Sequence, residues 1–313
     1  MSGQRQGLVA GVAAYAMWGL FPLFWPLLEP AAAVEILAHR IAWSLVILVF
    51  VLALTSRFAW VTRLGRRRVG LLMLASVLIT INWGMFIYGV NSGQVVETSL
   101  GYFINPLVTV ALAVVVLKEK LSRLQCLAVG IAALAVLVLA VEHGRPPWIA
   151  LTLAFSFGTY GLVKNRAGVG GTQSLAFETA VLFVPAVAYL TWLSLTGAST
   201  FATEGAGHAT LLAVGGIVTA VPLICFGAAA IRLPLITLGV IQYLTPTLQF
   251  LIGVLVYDEG MPVSRLAGFV LVWIALVVFT ADVIRTARRT AASRPLTRKA
   301  EVGLPVTGGP AVR

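Results

Sequence analysis

Three ionisable side chains open a stretch that otherwise reads as hydrocarbon: Glu35, His39 and Arg40, in Glu-Ile-Leu-Ala-His-Arg-Ile-Ala-Trp-Ser. Glu35 and His39 stand at i and i+4 on one helical face, while Arg40 lies about 140° around the helix from Glu35. Such a set can attract an anionic or carbonyl group, pair with other charges, or relay a proton. A second apolar stretch supplies Glu97, Tyr102 and Asn105, with Ser99, Tyr102 and Asn105 stepping by three. A third places Gln242, Thr245 and Gln249 at i, i+3 and i+7, one polar stripe along one helical face. The substrate-binding candidates are therefore Arg40, Glu97, Tyr102, Asn105, Gln242 and Gln249, and the ion-pair or proton candidates are Glu35, His39 and Glu178. Glu97 is the nearest counter-charge to Arg40 by depth. The competing readings are hydrogen bonds that glue helices together, worth roughly 0.6 kcal/mol each, and an arginine that snorkels to the membrane surface.

Two prolines punctuate these stretches in the same way. Tyr102-Phe-Ile-Asn-Pro106 is followed thirteen residues after the proline by Glu119, and Gln242-Tyr-Leu-Thr-Pro246 is followed at the same spacing by Glu259. Proline removes the hydrogen bond to the carbonyl four residues back, so the carbonyls of Tyr102 and Gln242 need other partners. Pro106 and Pro246 are read as helix breaks that line a cavity, or alternatively as kinks that only help helices pack. Further matches support a repeat: Glu35 with Glu178, and Ser122-Arg-Leu with Ser264-Arg-Leu. The polar stretch Glu142–Pro147 divides the chain into a first half, 1–141, and a second, 148–284, and a basic tail, 285–313, without apolar period is expected to be disordered.

These residues need helices that cross a bilayer to hold them. Charged residues make up 11% of the 313, against roughly 25% in soluble domains, and mean hydropathy is +0.97. Windows of about 20 residues predict ten spans: 8–28, 34–54, 70–90, 95–117, 124–141, 148–163, 174–195, 210–231, 235–257 and 265–284. A net charge of +11 raises the question of a nucleic-acid partner, but the charges follow topology instead. With both termini in the cytoplasm, every lysine and arginine except Arg40, Arg145 and Arg265 falls inside, as the positive-inside rule requires. Five spans separate the two proline motifs, an odd number, so the halves run in opposite directions. The expected fold is all-α and integral to the membrane: ten transmembrane helices as two inverted five-helix repeats, a secondary-transporter architecture. Ala31-Ala-Ala33 resembles a signal-cleavage site, but the apolar run before it exceeds the usual h-region. Cys126 and Cys225 lie in different spans and read as packing residues.

The alternative class is an intramembrane lipid-modifying enzyme. No paired aspartates with metal spacing, no His and Glu zinc motif and no Gly-x-Ser-x-Gly elbow supports it. A pore is disfavoured by the lack of a charge ring or carbonyl filter.

Four segments, Ala14-Tyr-Ala-Met-Trp-Gly-Leu-Phe-Pro-Leu-Phe, Glu35-Ile-Leu-Ala-His-Arg-Ile-Ala-Trp-Ser, Ser99-Leu-Gly-Tyr-Phe-Ile-Asn-Pro-Leu and Gln242-Tyr-Leu-Thr-Pro-Thr-Leu-Gln-Phe, resemble the RarD family, in the EamA branch of the drug/metabolite transporter superfamily. The resemblance spans roughly residues 7–284. It implies ten helices in two inverted repeats, a plasma-membrane location and transport of small organic solutes. The expected partners are a small-molecule solute and membrane lipid, with no nucleic acid and no cofactor; a homodimer is left open.

Overall fold

The computed structural model describes residues 2–55, 65–118, 121–169 and 171–292, and these are helical with no strand among them. The helix α1 (Ser2–Gly19) gives way to two 3-10 turns, Phe21–Leu23 and Trp25–Leu28, because Pro22 and Pro26 cannot donate to a continuing α ladder. There follow α2 (Ala33–Thr55), α3 (Arg66–Asn91), α4 (Val95–Leu117), α5 (Arg123–His143), α6 (Trp148–Ala167), α7 (Gly171–Leu195), the single turn α8 (Thr200–Thr203) and α9 (Gly205–Ala230). The next stretch is in two pieces, α10 (Leu235–Ile241) and α11 (Leu244–Leu255), and α12 (Val263–Ala292) follows.

Among the described residues, eight helical stretches are long and apolar enough to cross a bilayer, and nine if α1 and its turns, bent by 41°, count as one span. The expected ten is thus reached only in part. The stretch that falls short is α6, which carries Thr152, Ser156, Thr159, Tyr160, Lys164 and Arg166 and packs between α3 and α4.

Eight helices close a ring by their contacts: α1 on α9, α9 on α2, α2 on α7, α7 on α3, α3 on α6, α6 on α4, α4 on α11, and α11 back on α1. Every contact in this ring joins one helix from before residue 142 to one from after it, so the two halves are interleaved. The remaining pair, α5 and α12, pack on each other beside the ring and touch it along α4. They are antiparallel. Ser122, at the start of α5, donates to Asp282 near the end of α12 (2.8 Å), and Arg265, near the start of α12, faces Glu142 at the end of α5 (3.7 Å).

With no hydrophobic drive between helices in lipid, close approach decides where they meet, and small residues permit it. Gly216 of α9 sits against the backbone of α2: a Cβ there would lie 2.5 Å from the Cβ of Trp43 and 2.7 Å from its carbonyl carbon. Backbone cannot rotate aside. Gly216→Ala is therefore expected to lower stability by about 1–3 kcal/mol, read as an earlier thermal unfolding midpoint of the detergent-solubilised protein; an unchanged midpoint would show that α2 and α9 can part without cost.

Candidate functional site

Arg40, Trp83 and Tyr102 each lie about 10–12 Å from the end of their helix, at the end of the bundle that bears α8 and the α3–α4 loop. Arg40 is only 4% exposed, so it does not snorkel. Its Nε donates to the Thr219 hydroxyl of α9 (2.9 Å), whose own hydrogen goes to the carbonyl of Gly215 (2.9 Å). The guanidinium carbon sits 4.1 Å from the centre of Trp83, 5.2 Å from Trp25 and 5.6 Å from Phe21. The proline turns after α1 bring Phe21 and Trp25 inward, both buried. No carboxylate among the described residues pairs with Arg40. Tyr102 stands edge-on to Phe86 and donates to the Asn82 side-chain oxygen (3.2 Å), and the Asn82 amide donates to the carbonyl of Leu153 (3.0 Å) and to Ser156 (3.1 Å). One polar thread thus joins α4, α3 and α6.

Glu97 is not the counter-charge of Arg40. It accepts from the backbone N–H of Ile149 (2.9 Å) and faces Arg145 (3.7 Å), capping the start of α6, where the helix dipole favours an anion. Depth along the chain pointed to Glu97 as the partner of Arg40, but the first turn of α6 claims it. Glu35 likewise caps a helix, accepting from the N–H of Thr200 (2.9 Å) and the hydroxyl of Ser199 (3.4 Å) at α8. His39 stacks on Phe201 (4.8 Å) rather than bonding to Glu35, and its Nε2 is buried without a partner.

Glu178, its sequence counterpart, has a different job. At the opposite end of the bundle it is fully buried and accepts from Ser174 (2.5 Å) and Tyr160 (2.9 Å), with Lys164 3.3 Å away and also donating to Tyr160 (2.7 Å). This network bridges α6 and α7.

The two prolines also differ. α4 runs through Pro106 without interruption, so that expected break is absent. In the other half the interruption falls at Gln242–Tyr243, three residues ahead of Pro246, and the Gln242 carbonyl accepts from the N–H of Thr245 (3.2 Å). Of the polar stripe, Thr245 donates to the carbonyl of Tyr15 (2.7 Å) and Gln249 to that of Trp18 (3.2 Å), which ties α11 to α1; Gln242 is half-buried. The Gln249 and Asn105 side-chain oxygens remain buried without donors. The six substrate candidates therefore do not form one cluster: Arg40 and Tyr102 share one, Asn105 lies one turn along α4, Gln249 faces α1, and Glu97 is spent on α6.

Glu119 lies outside the described residues. Glu259 accepts from the backbone N–H groups of Val95 and Val96, the first two residues of α4. Burial pushes its carboxyl above the ordinary 4.5, while the two N–H groups and Arg265 pull back and Glu97 adds to the rise. Together with Glu97, Arg145 and Gln94 it lines a cavity of about 370 Å³ between α4 and the α5–α12 pair.

The family model of the EamA-like transporter family matches residues 5–141. Protein RarD of Streptomyces exfoliatus is 58% identical over 291 residues, 92% of each chain, and Protein RarD of Escherichia coli K12 is 40% identical over 91% of this chain and 97% of that one. The chain belongs to the RarD family. Within the EamA branch of the drug/metabolite transporter superfamily it is thus a multi-pass membrane transporter, and a relative in Bacillus subtilis, 42% identical over 91% of this chain and 96% of its own, carries the name Uncharacterized transporter YojE. A crystal structure at 16% identity superposes with a TM-score of 0.56 over 90% of this chain and 98% of its own, a likeness of fold. The RarD-type segment Glu35–Ser44 is the one that delivers Arg40 to its aromatic enclosure.

Breaking a buried ion pair from one side strands the other charge. Lys164 keeps 21% of its side chain exposed and can turn toward water, whereas Glu178 cannot. Lys164→Met should therefore cost on the order of 3 kcal/mol, more than Glu178→Gln, and the double variant should recover most of it. A thermal-unfolding double-mutant cycle in detergent reads this directly; additive losses would mean the two side chains do not interact.

Proposed function

We propose that this RarD-family protein is a secondary transporter that moves small organic solutes across the plasma membrane by alternating access, through ten spans arranged as two inverted five-helix repeats. Residues 1–141 and 148–284 form the repeats, 285–313 a cytoplasmic tail, and the end bearing α8 and Arg145 faces outward. The observation that carries this reading is a symmetry of neighbours. Exchanging α1 with α6, α2 with α7, α3 with α9, α4 with α11 and α5 with α12 turns the contacts around the ring into the same set. The exchanged helices α5 and α12 are antiparallel, as inversion requires. Lys118 and Asp258, both non-glycine residues with positive φ (55° and 51°), occupy matching positions 140 residues apart.

Alternation then needs the halves to rock about the site they share. The span of α10 and α11 is divided and its partner α4 is not, so the second half supplies the more deformable element. Arg40 binds the solute's electron-rich group, Tyr102 and Asn105 on α4 orient it, and Gln242 and Gln249 flank the divided span. Glu35, His39 and Glu178 serve as structural anchors.

The test is flux in proteoliposomes loaded with a metabolite extract, comparing wild type with Arg40→Ala at equal protein density. Wild type should deplete at least one solute saturably, and the variant should lose at least about 10-fold of that flux, the loss of a hydrogen bond to a charged group. Unaltered flux in the variant would remove Arg40 from the pathway.

A further inference from the structure

The surroundings of Arg40 are rich in unused donors and poor in acceptors. The guanidinium offers five N–H groups, of which one, on Nε, has an acceptor; the terminal nitrogens have none among the described residues. The guanidinium carbon lies over the Trp83 ring at 4.1 Å, a contact with the π face that uses none of the N–H donors as a hydrogen bond. Neither terminal nitrogen is among the polar atoms sealed completely inside the protein without a partner. The indole Nε1 of Trp25 is such an atom: fully buried, with nothing to donate to, in a ring centred 5.2 Å from the guanidinium carbon. The Ser44 hydroxyl, one turn along α2 on the same face, is also buried and unpartnered. The neighbouring hydroxyls are occupied, Thr219 by Gly215 and Tyr102 by Asn82.

A buried cation with no carboxylate, beside a buried N–H with no acceptor, lacks one thing: an anion with at least two acceptor oxygens. The charge count limits it further. Among the described residues, Arg40 is the one cation set against Trp83, Trp25 and Phe21, so a dianion would leave one negative charge unpaired at membrane depth, where a lone charge is disfavoured. The walls are flat and aromatic, suited to a flat apolar body.

Resting on the transport reading above, we propose that the solute is a small organic monoanion, a carboxylate on a flat apolar body, held by Arg40 through its terminal nitrogens and by Trp25 through its indole N–H. Trp25 is then a specificity-determining residue, and Thr219 positions the guanidinium.

Equilibrium binding of radiolabelled benzoate to the full-length protein in lipid nanodiscs tests this, with benzamide as neutral competitor, phthalate as dianionic competitor, and benzoate uptake in proteoliposomes as the parallel arm. Unlabelled benzoate should displace the label at least about 10-fold better than either competitor. Arg40→Gln should weaken benzoate binding about 10- to 100-fold, and Trp25→Phe, which keeps an aromatic ring and removes the N–H, about 3- to 10-fold. Arg40→Lys, which keeps the charge, should retain part of the affinity and serves where Arg40→Gln does not fold. Equal displacement by benzamide, undiminished binding in Trp25→Phe, or no benzoate binding to wild type would each overturn the monoanion site, even if the proteoliposomes transport another solute. Selective benzoate binding without benzoate uptake would uphold the site and count against the transport reading.

Discussion

A guanidinium carries its charge everywhere, and at membrane depth that charge costs at least about 2.5–3.5 kcal/mol on insertion scales. Everything packed around Arg40 is constrained by this cost. Proline-made turns fold Phe21 and Trp25 over it, α3 contributes Trp83, and α9 contributes a hydroxyl oriented by its own backbone bond. Cation–π contacts offset about 0.5–2 kcal/mol each when desolvated, which holds the side chain inside without cancelling its charge. The aromatic enclosure and the ring of helices are thus one design: α2 cannot leave α9 or α3 without exposing the cation to lipid.

Carboxylates do the complementary work at helix starts. Glu259 caps α4, Glu97 caps α6 and Glu35 caps α8, each from a different element, so that three helix N-termini are held by acids distant in sequence. An uncapped N-terminus leaves unsatisfied N–H groups, and in a bundle with few loops long enough to cover them the side chains take that role. Two of these acids, Glu97 and Glu259, meet at one cavity at the end of α4, where the α3–α4, α5–α6 and α11–α12 connections converge.

Much of this was legible from residues alone. Apolar runs located most of the long helices, and Arg40 and Tyr102 stood out as polar groups inside them. The rest was hidden for identifiable reasons. Depth along the chain singles out Glu97 as the nearest acid for Arg40 but cannot say which helix start lies beside it. A proline forecasts a missing hydrogen bond, yet α4 absorbs the loss at Pro106, while the other half breaks at Gln242–Tyr243, before its proline. Thr219 carried no signal beyond a hydroxyl one turn after a Gly-Gly pair, and Trp25 carried none beyond being one aromatic residue in an apolar run. The C-terminal turn of α6, beyond residue 163, escaped simple hydropathy because that helix packs between α3 and α4 and can carry hydroxyls and Lys164.

Inversion of the two halves is the claim on which the transport cycle stands, and sidedness of labelling tests it most directly. In a background with Cys126 and Cys225 replaced, single cysteines at Leu121, just before α5, and at Gly260, just before α12, would be exposed to a membrane-impermeant maleimide on intact cells. Inverted halves require Gly260→Cys to be labelled from outside and Leu121→Cys only after permeabilisation. Labelling of both positions from the same side would contradict it.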